Sequence, residues 1–330
     1  MLNKNFFFHN HNLKEFNQNL KKTKKVFEKF KLDLDNYELP LLSSYEKNFD
    51  LDFTSKTIKK FSKYKNIIIV GMGGSILGTK SIYSFFKKKI KKNLFFFDNL
   101  DPNLYFELRK INNLSNSCYI VVSKSGNTIE TIANLEVLFK NLSKNKLIFI
   151  TEFTDSRLMN FANKHEIDVI EHKEFIGGRY SVLSEVGMFP AKLMGLDIQK
   201  FKNLKKLINN KNFVSTLIQN VASIYTLTKK KIKNSVILNY DSCFYDLSYW
   251  YQQLIGESLG KKNIGITPIV SFAPRDHHSL LQLYLEGPKD KFFTFFNSSV
   301  KEKKYKNLKL IIDAQSNALQ NVFKKRKIPF

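Results

Sequence analysis

Short apolar runs alternate with stretches of helical periodicity over the first half of the chain. A brief apolar run bounded by turn residues is typical of a buried strand, and apolar residues three or four positions apart are typical of an amphipathic helix. Strands joined by helices favour a parallel sheet that is covered on both faces. The predicted strands of this sheet lie at residues 67–70, 94–97, 119–122, 147–150 and 169–170.

A second set of apolar runs follows at residues 236–238, 266–270 and 292–296. The pattern therefore predicts an α/β chain with two sheets. We expect a helical segment at residues 1–50, a first α/β domain at 51–212 and a second at 213–330. The chain has 330 residues, of which 43% are hydrophobic and 14% aromatic, and this is enough for two cores.

The turn after the third predicted strand is rich in hydroxyl groups, and a helical pattern starts behind it at Ile129. Free N–H groups and the dipole of a helix N-terminus favour a bound phosphate, and a glycine lets the chain approach a ligand closely. An ordinary N-cap is the alternative, because Ser and Thr are favoured there without any ligand. The turn comprises Ser123, Lys124, Ser125, Gly126, Asn127 and Thr128. Its three hydroxyl residues supply donors to phosphate oxygens, and its lysine adds positive charge.

A glycine-rich turn at residues 71–75 follows the first predicted strand and precedes another helical pattern. Such a turn brings backbone N–H groups against a ligand. A dinucleotide fingerprint requires a third glycine where this chain has Ile76, and Gly78 comes two residues late. The pattern therefore disfavours a nicotinamide site.

Arg179 stands directly behind two glycines in a chain that has few arginines. An arginine at this position indicates a role for its planar, permanently charged group, which lysine cannot supply. A surface salt bridge after a flexible turn is the alternative.

Two further candidates lie on predicted helices. Gln253 and Glu257 stand four residues apart, which places an amide and a carboxylate on one helix face. Such a carboxylate is either a general base in a cleft or an ordinary solvated residue. Asp276, His277 and His278 open the next helix, where a proton-transferring histidine, a metal pair and a simple helix cap are the alternatives. Metal is disfavoured, because adjacent histidines do not share a helix face and no H-E-x-x-H motif is present.

Taken in order, these motifs resemble those of the glucose-6-phosphate isomerase family, in the SKSG form of its shorter bacterial members. The resemblance runs from about residue 66 to residue 330, and it implies two sugar-isomerase (SIS) type three-layer α/β/α sandwiches with parallel sheets. Residues 71–75 resemble the G-x-G-G-S turn, 123–131 the phosphate loop, 177–187 the G-G-R-[FY]-S signature, 253–261 the Q-x-x-x-E-S-x-G-K helix, and 278–279 part of the Q-H-S segment.

The resemblance implies interconversion of glucose 6-phosphate and fructose 6-phosphate through an enediolate, with no metal and no organic cofactor. It makes Glu257 the base that moves a proton between carbons 2 and 1, and Arg179 the cation that stabilises the intermediate. It makes His278 the group that assists ring opening, donated by the neighbouring subunit of a homodimer. The residues implied to hold the substrate are Ser123, Lys124, Ser125 and Thr128 at the phosphate, and Gly74, Ser75 and Gln253 at the sugar.

Three residues depart from the family pattern. Glu185 stands where a small residue is preferred, His277 replaces a Gln, and Asn127 replaces a hydroxyl residue. Family members also continue past the equivalent of Phe330 into helices that carry an active-site lysine. We therefore expect either a fragment or a shortened form. A noncatalytic sugar-phosphate-binding protein or regulator is the alternative function, and mannose 6-phosphate stays open as a further substrate.

The formal net charge of +25 raises the question of nucleic-acid binding. The positive charge is dispersed and nearly all lysine, which favours weak adhesion at low salt over a specific nucleic-acid site. Cys118 and Cys243 belong to no C-x-x-C pair and are predicted to be reduced thiols. Residues 1–8 do not resemble a signal peptide, and no stretch approaches the roughly 18 apolar residues of a membrane span. We expect a cytoplasmic protein with no membrane partner.

Overall fold

The computed structural model describes residues 13–36, 38–110, 114–140, 142–202, 204–298 and 305–330. The prediction about a signal peptide at residues 1–8 lies outside these ranges. The chain divides into two compact units, one at Leu39–Asn203 and the other combining Met1–Glu38 with Leu204–Phe330. We call them the first unit and the second unit. No helix in the described ranges has both the length and the apolar content that crossing a membrane requires.

The strands and helices are as follows. The strands are β1 Asn66–Gly71, β2 Asn93–Phe97, β3 Ser117–Val122, β4 Leu147–Thr151, β5 Asp168–Glu171, β6 Asn234–Asn239, β7 Thr267–Phe272 and β8 Lys291–Phe296. The helices are α1 Leu13–Asp35, α2 Ser55–Ser62, α3 Leu77–Phe86, α4 Pro102–Arg109, α5 Ile129–Phe139, α6 Arg157–His165, α7 Glu185–Leu193, α8 Leu204–Ile208, α9 Lys211–Lys229, α10 Tyr245–Leu259, α11 His277–Glu286 and α12 Lys306–Lys325.

The first unit is built on a parallel sheet in the order β2-β1-β3-β4-β5. Every residue of β1, β3 and β4 is buried, as expected of central strands in a parallel sheet that helices cover. The apolar core includes Ile68, Tyr119, Leu135, Phe149 and Leu158. All five strands predicted for this sheet are confirmed.

The order of the strands reverses beside β1. From β1 the chain passes outward to β2 and then returns to form β3 on the other side of β1. Ligands of open α/β sheets bind at such a reversal, beyond the carboxyl ends of the strands. Gly71 of β1 lies opposite Val122 of β3, so the two predicted ligand turns start side by side at this edge.

The second unit holds a parallel sheet in the order β7-β6-β8. Its core joins the sheet to α11 and α12 through residues that include Val236, Tyr284, Phe293, Leu319 and Phe323. Helix α1 packs against α9, where the Asn19 amide donates a hydrogen bond to the Thr226 hydroxyl at 2.9 Å. The three predicted strands of this sheet are confirmed, although β7 begins one residue later and ends two residues later than predicted.

Candidate active site

The turn at residues 123–128 is held in one conformation by its own side chains. The Ser123 hydroxyl is buried and donates to the Thr128 hydroxyl at 3.0 Å. Gly126 has a φ of 64°, and a Cβ atom at this position would lie 2.2 Å from the Ser156 hydroxyl oxygen. Only glycine fits this backbone without displacing its neighbours, so the turn is tightly wound at the end of β3.

The N-terminus of α5 directly follows this turn. Thr128 occupies the N-cap position, yet its side chain makes no hydrogen bond to the first turn of the helix. The ordinary N-cap alternative therefore does not describe this residue. Backbone N–H groups that are not capped, together with the helix dipole, are suited to an anion such as a phosphate.

Lys124 lies within the turn, but groups of the protein already engage its charge. Its ammonium donates to the Glu174 carbonyl at 2.7 Å and lies 3.4 Å from the Glu152 carboxylate. The sequence alone did not indicate either partner, since both are far from Lys124 along the chain. The role of Lys124 as a phosphate ligand stays a prediction.

Asn127 explains one departure from the family pattern. Its side-chain oxygen accepts a hydrogen bond from the backbone N–H of Arg157, the first residue of α6, at 3.0 Å. Ser156 caps the same helix by accepting from the N–H of Met159 at 3.2 Å. The amide at position 127 thus ties the 123–128 turn to the start of α6.

The glycine-rich turn after β1 is in contact with the segment that carries Arg179. A Cβ atom on Gly74 would lie 2.2 Å from the carbonyl carbon of Gly178 and 2.5 Å from the amide nitrogen of Arg179. The Ser181 hydroxyl lies 2.7 Å from the Gly178 carbonyl and 3.3 Å from the Gly74 carbonyl. Gly74 is therefore required for the close approach of two backbones, and Ser75 follows it in the same short 3₁₀ turn.

Arg179 lies on a 3₁₀ helix, Gly178–Leu183, and not on a flexible turn. The residue is half-buried, and its guanidinium carbon lies 4.6 Å from the centroid of the Tyr180 ring. Stacking on an aromatic face is a preference of arginine that lysine does not match. The first unit therefore brings together the 71–75 turn, the 123–128 turn and the Arg179 segment at one edge of its sheet.

In the second unit, Gln253 and Glu257 interact as the spacing predicted. The Gln253 amide nitrogen donates to the Glu257 carboxylate at 2.8 Å, one turn apart on α10. The Gln253 side-chain oxygen is buried without a hydrogen-bond partner among the described residues, whereas Glu257 is exposed. The amide therefore orients the carboxylate.

The three residues that open α11 have different surroundings. His277 lies 2.8 Å from the Tyr240 hydroxyl, and burial together with the charge of His278 lowers its pKa. Asp276 does not cap α11, since it accepts hydrogen bonds from the Phe272 N–H at 2.7 Å and the Ser271 hydroxyl at 3.1 Å. His278 is exposed. No group of three or more metal-binding side chains occurs among the residues that the structure describes.

Glu257 and His278 lie toward opposite ends of β7. Gln252, on the same helix as Glu257, donates to the carbonyl of Pro268 near the start of β7 at 2.9 Å. His278 belongs to the helix that follows the other end of that strand at Phe272. Four residues of strand span about 13 Å, so the second unit does not bring these two side chains together.

A family model described as Phosphoglucose isomerase matches residues 47–272. Glucose-6-phosphate isomerase of Methanocaldococcus jannaschii is 38% identical over 261 residues, which cover 76% of this chain and 63% of that protein. A probable glucose-6-phosphate isomerase of Methanococcus maripaludis is 32% identical over 314 residues, which cover 90% of this chain and 69% of that protein. The chain thus spans between about three fifths and seven tenths of the length of these relatives.

Two solved structures share the fold. A hypothetical protein from Thermus thermophilus has a TM-score of 0.73 at 23% identity and covers 94% of this chain and 84% of its own. A glucose-6-phosphate isomerase from Chlamydia trachomatis has a TM-score of 0.58 at 21% identity, and the match covers 82% of this chain and 58% of that chain. The predicted fold class, α/β of the sugar-isomerase type with parallel sheets, is confirmed.

The family match contains the predicted residues from Gly74 to Glu257, and His278 follows it. The 71–75 turn, the 123–128 turn, the Arg179 segment and the Gln253–Glu257 pair therefore lie within the matched residues. With a family model over more than half of its residues and the Methanococcus maripaludis relative 32% identical over 69% of that protein's length, this chain belongs to the phosphoglucose isomerase family.

Proposed function

We propose that this chain interconverts glucose 6-phosphate and fructose 6-phosphate by proton transfer through an enediolate. The observation that carries the proposal is the contact of the Gly74 turn with the Gly178–Arg179 peptide, beside the 123–128 turn. An anion site, a close backbone approach and a permanent cation at one sheet edge suit a phosphorylated sugar that develops negative charge during reaction.

In this proposal the phosphate binds at the N-terminus of α5. The backbone N–H groups of the first turn and the hydroxyls of Ser123, Ser125 and Thr128 donate to its oxygens. Lys124 adds positive charge, moderated by Glu152. Gly74, Ser75 and Gln253 position the sugar. Binding through a group that does not react leaves carbons 1 and 2 in a fixed place for proton transfer.

The carboxylate of Glu257 removes the proton from carbon 2 of the open-chain aldose. The electrons of that C–H bond form the double bond between carbons 1 and 2, and the carbonyl oxygen on carbon 1 becomes negative. The guanidinium of Arg179 stabilises this charge. The hydroxyl proton on the carbon 2 oxygen passes to the carbon 1 oxygen, Glu257 returns its own proton to carbon 1, and the carbonyl of the ketose forms at carbon 2. The hydrogen bond from Gln253 holds the carboxylate in position between the two carbons.

His278 is proposed to assist ring opening from a second copy of the chain. The positions of Glu257 and His278 toward opposite ends of β7 support donation across a homodimer. The cytoplasm remains the predicted location of the enzyme.

A coupled assay for fructose 6-phosphate formation tests the proposal with Glu257→Gln. We expect kcat to fall by about 100-fold or more, because general-base catalysis contributes about 10²–10⁴-fold. The matched control is Glu286→Gln. Glu286 accepts from Gln282 at 2.8 Å in the same four-residue arrangement on α11, the next helix along the chain, and it also pairs with Arg326 at 3.3 Å. The control variant should keep parental kcat.

A second measurement identifies the chemistry. In D₂O, the parent enzyme should introduce deuterium at carbon 2 of glucose 6-phosphate, and Glu257→Gln should not, as followed by NMR. If the parent protein binds hexose 6-phosphate but neither turns it over nor exchanges the carbon-bound proton, the chain is a noncatalytic sugar-phosphate-binding protein and the proposal is wrong.

A further inference from the structure

We infer that Asp52 and Glu185 are positioning residues that fix the segment carrying Arg179, an inference that rests on the function proposed above. The segment, residues 172–184, joins β5 to α7. Glu171 is the last residue of β5, and Glu185 is the first residue of α7. Asp52 binds both of these flanking residues, and we call this arrangement the Asp52 clasp.

The clasp consists of two hydrogen bonds made by one residue. The carboxylate of Asp52 accepts from the backbone N–H of Glu171 at 2.6 Å. The backbone N–H of Asp52 donates to the carboxylate of Glu185 at 3.1 Å. Both ends of the Arg179 segment are therefore anchored to the same point, and neither end can shift without breaking a charge-assisted hydrogen bond.

The bond from the Glu171 N–H to the Asp52 carboxylate lies at the open edge of the sheet. β5 is an edge strand of the sheet, with β4 on one side only. His172 donates its N–H to Thr151 of β4, so the N–H of its neighbour Glu171 points away from the sheet. The carboxylate of Asp52 supplies the acceptor that a further strand would otherwise provide.

The second bond uses a buried acid at a position where the family pattern prefers a small residue. Glu185 is fully buried and opens α7, where the helix dipole favours negative charge. Burial raises its pKa and the charge of the Asp52 carboxylate adds to that rise, whereas the N–H of Asp52 and the ammonium of Lys173 oppose it. Lys173 also pairs with the carboxylate of Glu171. Lys173 therefore offsets the negative charge of both Glu171 and Glu185.

The interior of the segment transmits this anchoring to Arg179. Ile176 is fully buried, and the Ser181 hydroxyl bonds to the Gly178 carbonyl at 2.7 Å. Ser184 bonds back to the Ser181 carbonyl at 2.8 Å, immediately before Glu185. A shift of Glu185 therefore passes along the 3₁₀ helix to the guanidinium that stabilises the enediolate.

Steady-state kinetics of Glu185→Ala and Asp52→Ala test the inference. We expect kcat to fall by about tenfold with KM within about twofold, because a small displacement of a charge-stabilising group affects the transition state while the phosphate is held elsewhere. Glu185→Gln and Asp52→Asn keep one acceptor oxygen each and should restore most of kcat. Equal losses in Ala and conservative variants would overturn the inference.

A double-variant cycle separates positioning from general destabilisation. In an Arg179→Gln background, Glu185→Ala should lower kcat no further, since the residue that it positions is already gone. The same tenfold loss in both backgrounds would assign Glu185 a structural role alone and overturn the inference.

Hydrogen exchange measures the clasp without any turnover. Amides 177–181 should exchange about tenfold faster in Glu185→Ala than in the parent, whereas amides 123–128 should not change. If the parent has no isomerase activity, the proposed function fails, and exchange still decides whether the clasp holds the segment. If Glu185→Ala does not fold, Asp52→Ala decides, because Asp52 is exposed and its backbone N–H is retained. Unchanged exchange at 177–181 would overturn the inference.

Discussion

Substitution of Gly74 by Ala tests the contact between the glycine-rich turn and the Arg179 segment. The added Cβ atom would lie 2.2 Å from the carbonyl carbon of Gly178, 2.4 Å from its oxygen and 2.5 Å from the Arg179 nitrogen. Non-bonded carbon atoms pack at about 3.5–4.0 Å, so one of the two backbones has to move by more than about 1 Å. Overpacking of this kind costs about 1–3 kcal/mol.

This cost corresponds to an increase of about 5- to 150-fold in the unfolded-to-folded ratio, which denaturant unfolding followed by circular dichroism resolves. We also expect kcat/KM to fall, because the Arg179 backbone is among the displaced atoms. Gly178→Ala is the matched control, since it makes the same change on the facing segment and its Cβ atom would meet no atom within 4 Å. Its unfolding free energy should change by less than about 0.5 kcal/mol.

Two results would refute this reasoning. If Gly74→Ala is as stable as the parent, the glycine-rich turn and the Arg179 segment do not touch in solution. Equal destabilisation by Gly74→Ala and Gly178→Ala would mean that loss of glycine flexibility, and not the backbone contact, determines the cost.

Two other predictions concern buried titratable groups. Burial raises the pKa of the Cys118 thiol to about 12. A maleimide at pH 8 should therefore modify the partly exposed Cys243 first and Cys118 only after denaturation. Equal rates of modification of the two thiols in the folded protein would contradict this prediction. Burial, with a smaller effect of the Lys124 charge, lowers the pKa of His172 to about 4. Because an unfolded histidine titrates near 6.5, the unfolded state binds more protons between these values, and stability present above pH 6.5 is lost as the pH falls towards 4. Between pH 7.5 and 4.5, the free energy of unfolding should therefore fall by about 2–3 kcal/mol more for the parent than for His172→Gln, as measured by denaturant unfolding. Equal falls in the two proteins would show that His172 does not cause the loss of stability at low pH.

Local sequence predicted much of the fold. Each of the eight apolar runs forms a strand, because a strand buried on both faces requires a continuous apolar run, as in residues 67–70 and 119–122. The pairing of Gln253 with Glu257 also followed from spacing, since residues four apart share a helix face. An apolar run does not fix where a strand ends, and β7 was predicted too early because Ile266 is apolar but lies outside the sheet.

Helix caps were predicted less well. Thr128 and Asp276 are favourable residues at helix starts, yet neither caps its helix. Asp276 instead accepts hydrogen bonds from the preceding strand residue Phe272 and from Ser271, and Thr128 accepts from Ser123. Competition between a cap and another nearby donor depends on the path of the chain, which residue type does not determine.

The strand–turn–helix units, the glycines within them and the family to which they point could all be read from the sequence, since each depends on residues that are neighbours along the chain. The contacts that those units make depend on how the whole chain is folded. Gly74 contacts Gly178, and the Glu152 carboxylate lies beside Lys124. Asp52 binds Glu171 and Glu185, which are 119 and 133 positions away from it along the chain. Contacts of this kind leave no periodic trace in the sequence, because they arise where packed segments of a parallel sheet end at a common edge.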